Sequence, residues 1–227
     1  MAAASLSGVM GAGWETAALG KTGIGQAGKL KDAAAEYAEA EPKVKEWVAG
    51  GKGKPAILLF LSSAQQKKAG ADANSAPADA SETVRQFLVT GNGEDYKCIA
   101  AARFFTRIQI DVTNVIGAED RVFCNANAPL VVLLDKDGKV ANAFQGKAEC
   151  TVAKIYPAML SLLLGGQVPA KSVEALAKKM KEVFEVQLQI EQGKGRKGDA
   201  KALDAKKEKL AKEMEKLAQP AEKQDKA

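Results

Sequence analysis

Ala128-Pro129-Leu130-Val131-Val132-Leu133-Leu134-Asp135-Lys136-Asp137-Gly138-Lys139-Val140 is the stretch that most narrows what this chain can fold into. Proline has no backbone donor, so Pro129 belongs at the head of a strand rather than inside one. Five apolar residues follow it. Asp135-Lys136-Asp137-Gly138 then has the composition of a tight turn, and residues 140–144 return as the antiparallel partner. Upstream, Lys54-Pro55 introduces residues 56–61, apolar at every position, which predicts a central strand covered on both faces. Between these two, Arg107-Ile108-Gln109-Ile110-Asp111 alternates as a third strand.

That order of elements, with a short helix expected over residues 114–123 before Pro129, resembles the thioredoxin superfamily across residues 54–165. The fold it implies is α/β: a thioredoxin-like mixed sheet flanked by helices, in which the bond before Pro129 is cis and faces the redox loop. The redox loop itself lacks its chemistry. Where the family carries Cys-x-x-Cys, this chain has Leu61-Ser62-Ser63-Ala64-Gln65-Gln66-Lys67-Lys68. Gln and Lys serve neither as nucleophile nor as leaving group in disulfide exchange. The resemblance therefore implies a redox-inactive module, leaning away from enzyme activity, that binds polypeptide in the groove beside the cis proline. Ser62, Ser63, Gln65, Ala128 and Pro129 are its groove candidates. The same topology brings the segment before Pro129 and the start of the last helix to one end of the sheet. Cys124 and Cys150 are then candidates for a structural disulfide. The alternatives are two small buried thiols, or a relocated thiol–disulfide oxidoreductase pair, although nothing in the sequence activates either sulfur.

Other chemistries find little support. The chain contains no His, which removes the commonest general base and every Ser-His or Cys-His pair. Its three Cys are too far apart for a zinc motif, so no metal site is expected. Asp135 and Asp137 suit the turn, and Glu94-Asp95 and Glu119-Asp120 are adjacent rather than facing. Gly23-x-Gly25-x-x-Gly28 matches a dinucleotide fingerprint without the strand that should precede it, and Gly20-Lys21-Thr22 lacks the earlier Gly of a phosphate loop. No cofactor and no small-molecule ligand are expected.

The chain divides into a flexible N-terminal segment (residues 1–29), the thioredoxin-like domain (30–165) and a helical tail (166–227). Residues 30–48 read as a helix broken near Pro42, residues 62–80 as a long loop or a frayed helix start followed by an insertion, and Ser81 as the N-cap of a helix reaching Val89. Residues 96–105 fit either a short helix or extended chain. Thr151 is placed to cap a helix to Leu164, bent at Pro157. In the tail, Val173, Leu176, Met180, Val183, Phe184, Gln187 and Ile190 recur at helical spacing. After a Gly-rich basic bend at residues 193–198, Ala200, Leu203, Lys207, Leu210, Met214, Leu217 and Ala221 follow a heptad. Two such helices form a coiled-coil-like hairpin extension that must bury its stripe somewhere. Leu203, Leu210, Met214 and Leu217 are thus interface candidates, on the domain, in self-association or in a scaffold role within a larger complex.

Of the net charge of +5, a surplus of four lies in residues 193–227, where eleven Lys or Arg are interspersed with seven Asp or Glu. Interspersed charge marks a solvated helix laced with ion pairs, so a protein partner is expected rather than nucleic acid. No stretch is long and apolar enough to span a membrane. The small, apolar residues 1–13 lack a basic start. Read as a truncated signal, they lean toward a bacterial exported or periplasmic location, with the cytoplasm as the alternative.

Overall fold

The computed structural model describes residues 14–18, 53–62, 77–90, 96–112, 127–165, 168–191 and 197–217. The strands are β1 (Trp14–Ala18), β2 (Ala56–Leu61), β3 (Thr106–Asp111), β4 (Leu130–Leu134) and β5 (Val140–Gln145). The helices are α1 (Pro77–Arg85, continued by a π turn at Gln86–Thr90), α2 (Lys97–Ala102), α3 (Gly146–Glu149), α4 (Val152–Gly165), α5 (Ala170–Glu191) and α6 (Lys197–Leu217).

Four strands make a mixed α/β sheet around β2, whose six residues are each 7 % exposed or less. β3 lies parallel on one side of it and β4 antiparallel on the other, and β5 returns along β4. β1 adds a fifth strand parallel to β3, giving the order β1-β3-β2-β4-β5. The hairpin forms as its sequence predicts. Asp135 Oδ1 accepts the backbone N–H groups of Asp137 and Lys139, each at 2.9 Å, and Gly138 takes a φ of 78° that a Cβ would oppose. The Ala128–Pro129 bond is cis.

Register sorts the two faces of the sheet. Leu58 and Phe60 sit beside Ile108 and Ile110 on one face. Ile57, Leu59 and Leu61 share the other with Val131 and Leu133, where they meet the helices in a single hydrophobic cluster. α2 lies at the centre of that cluster, and Cys98, Ile99, Ala100, Ala101 and Ala102 are all enclosed. A helix buried at five successive positions has no solvent side, so its far side needs a cover. α5 supplies it with Val173, Leu176, Ala177, Met180, Val183 and Val186, all buried, while Phe184 meets the Tyr96 ring with centroids 5.8 Å apart. α6 packs along α5 and buries Leu210 and Met214 in the same cluster, with Leu203 and Leu217 half-buried against it. Lys179 on α5 ties the pair by reaching Glu182 and, across the seam, Glu213, both at 3.1 Å.

Two local expectations differ from the structure, and one left open is decided. α1 starts at Pro77, whose fixed φ suits a first helical turn, and Ser81 lies inside the helix rather than at its cap. The segment after Tyr96, open between two states in sequence, is helical because its run of small and apolar residues is enclosed on all sides. Residues 14–18, within the segment expected to be flexible, are strand. Expected elements at residues 30–48, 63–76, 91–95 and 114–123, and the bend within residues 192–196, lie outside the described residues. Among the described residues, no helix is long and apolar enough to cross a membrane.

Because Met214 is 2 % exposed in the shared cluster, Met214→Ala should lower the unfolding free energy by about 2–5 kcal/mol in urea titration. The loss should register equally in the far-ultraviolet and tryptophan signals. An unchanged midpoint would mean that α6 is no part of the core.

Candidate functional site

Register brings four chain segments to one end of the sheet. β2 ends at Leu61, and β4 runs antiparallel to it, so Leu130 at the head of β4 lies opposite Phe60. Gln145, the last residue of β5, pairs with Leu130 in turn. The end of β2, the Ala128–Pro129 junction, the end of β5 and the residues leading into α4 therefore share one edge of the molecule.

Ser62, directly after β2, is 5 % exposed, and its backbone N–H donates to Ser81 Oγ at 3.3 Å. This bond explains the buried hydroxyl inside α1: it satisfies the first backbone donor beyond the sheet and fixes α1 against the strand end. Ala128 and Pro129 are also buried. The Pro129 carbonyl accepts two donors, the Gly146 N–H at 2.8 Å and the Cys150 thiol at 3.4 Å. Gly146 turns with φ 71° to bring its N–H there.

Cys150 is the group at this edge with the most altered chemistry. Its Sγ donates to the Phe144 carbonyl at 3.2 Å as well as to Pro129, and it carries no disulfide. Burial pushes the thiol up to about 12, opposed by the Val131 backbone N–H and reinforced by the Glu149 carboxylate. A thiol held so high is a hydrogen-bond donor at neutral pH and not a nucleophile. Its role here is to join the β4 head, the β5 end and the approach to α4. Cys98 is buried on α2, which leads into the start of β3 at the opposite end of the sheet. Cys124, Ser63 and Gln65 lie outside the described residues. Of the tail candidates, all four point into the chain's own core. Among the described residues no group of Cys, Asp or Glu is arranged to hold a metal ion.

Sequence reasoning placed Cys150 near Pro129 but missed the role of Ser81. The signal was there in part: a Ser four residues into a run beginning with Pro is interior to a helix, and an interior hydroxyl needs a partner.

Ser81→Ala strands the enclosed Ser62 N–H and should cost about 1–3 kcal/mol in denaturant unfolding. A cost near zero would mean the bond contributes nothing. For Cys150 the folded state holds the thiol proton more tightly than the unfolded chain, whose thiol has the ordinary value of 9.0. That stabilisation is complete below pH 9 and is lost as pH rises toward about 12. The stability of the parent should therefore fall relative to Cys150→Ser across that window, and parallel pH profiles for the two would contradict the assignment. The chain matches no protein-family model, and comparison with curated proteins and with solved structures gives no match either, leaving its own residues as the ground for a functional reading.

Proposed function

We propose that this chain is a redox-inactive, thioredoxin-like module that binds polypeptide at the sheet edge where Pro129 opens β4. The observation that carries the reading is the sheet itself: three parallel strands followed by an antiparallel hairpin, with the proline at the hairpin's head beside the end of β2. In the segment directly after β2 the sequence supplies Ser62 to Lys68, which contains no cysteine. Cys150 favours the same reading over an oxidoreductase, since its thiol is raised to about 12 and engaged by two carbonyls. An extended chain docks against such an edge through backbone hydrogen bonds, which require no cysteine. A scaffold role through the tail draws less support, because Leu210 and Met214 are used inside the chain's own fold.

Three measurements test the proposal. In a dithiol-driven insulin reduction assay the protein should not raise the uncatalysed rate, and acceleration lost on Cys124→Ser would favour the oxidoreductase instead. A fluorescently labelled, carboxymethylated unfolded polypeptide should bind the parent, and Asn127→Arg, at the half-buried position beside Ala128, should weaken binding at least about tenfold with an unchanged circular dichroism spectrum. Amide exchange on the parent should slow at residues 62–65 and 128–130 when that polypeptide is added. Absence of binding, or binding with protection confined to other segments, would contradict the proposal.

A further inference from the structure

The opposite end of the sheet holds a charge that the polypeptide reading does not use. β3 alternates, so Ile108 and Ile110 take one face, and Arg107 and Gln109 fall on the face of Ile57 and Leu59, the one covered by helices. Arg107 lies between Ile57 of β2 and Trp14 of β1 in register, two apolar neighbours at its level of the sheet. Its Nε is enclosed and has no hydrogen-bond partner. Arg103, at the C-cap of α2 four residues earlier, adds a second guanidinium. Burial first, and then the Arg103 charge, bring Arg107 down to about 10, so it remains cationic at neutral pH. At Arg103 burial lowers the pKa, opposed by the Glu215 carboxylate of α6.

An enclosed guanidinium nitrogen without an acceptor is unfavourable, and a second cation beside it makes it more so. The planar donor fork of a guanidinium matches carboxylate and phosphate oxygens. We propose that Arg107, with Arg103 beside it, binds a small oxyanion, a phosphate or a carboxylate, at the foot of β3. Arg107 is half-buried rather than sealed, which leaves the ligand a way in. This site lies at the far end of the sheet from Pro129 and stands or falls separately from the polypeptide reading.

The test uses the full chain in thermal unfolding, with chloride, inorganic phosphate and acetate compared at matched ionic strength. Phosphate or acetate should raise the midpoint in a saturable manner over chloride, Arg107→Gln should abolish the rise, and Arg107→Lys should retain part of it. A midpoint that tracks ionic strength alone, or an equal rise in Arg107→Gln, would overturn the proposal. Should Arg107→Gln fail to fold, binding to the parent is read directly. The phosphorus resonance of inorganic phosphate, or the methyl proton resonance of acetate, should broaden on adding protein and sharpen again with excess sulfate. If neither resonance broadens, the site is not there.

Discussion

The complete burial of α2 is the constraint on which the rest of the structure depends. Residues 98–102 leave no face for water, with the sheet and α4 on one side and α5 on the other. A six-residue helix is too short to hold itself together by its own hydrogen bonds and persists because it is packed. The C-terminal hairpin is therefore a layer of the domain: it encloses α2, closes the cluster over Ile57, Leu59, Val131 and Leu133, and spends its apolar stripe in doing so. Leu210 and Met214 are thereby taken up in the chain's own core.

Much of this was legible from residues alone, for a physical reason. Strands buried on both faces must be apolar throughout, so β2 and β4 announce themselves, and Asp135 and Gly138 specify the turn between β4 and β5 chemically. α5 and α6 are long enough for a 3.6-residue period to stand out. Shorter elements carry no such period. β1 has five residues of mixed character, and its existence depends on the β3 edge it joins. α2 is apolar on all sides, which hides helical periodicity, and only its tertiary cover decides its state. Ser81 is ambiguous for a different reason, since the same hydroxyl that caps a helix also serves as a buried acceptor. In the candidate site, the proximity of Cys150 to Pro129 followed from topology. The height of its pKa did not, because that depends on how completely the thiol is enclosed.

The two ends of the sheet differ in kind. Around Pro129 the polar groups are satisfied in pairs: Ser62 with Ser81, and Pro129 and Phe144 with Cys150. Such a network is neutral and holds its members in fixed positions. At the foot of β3, Arg107 Nε is enclosed without a hydrogen-bond partner on the face its strand presents to the helices. One end is organised by neutral hydrogen bonds and the other by charge, and the proposed ligands differ accordingly.

Native-state amide hydrogen exchange on the full chain tests most directly whether the C-terminal helices are a layer of this domain. With rising denaturant, the amides of α5 over residues 173–186 should converge on the same opening free energy as those of β2 and β4, in one cooperative unit. Release of α5 and α6 at lower denaturant, while β2, β4 and α2 keep their protection, would show the hairpin to be an appendage and would contradict the account.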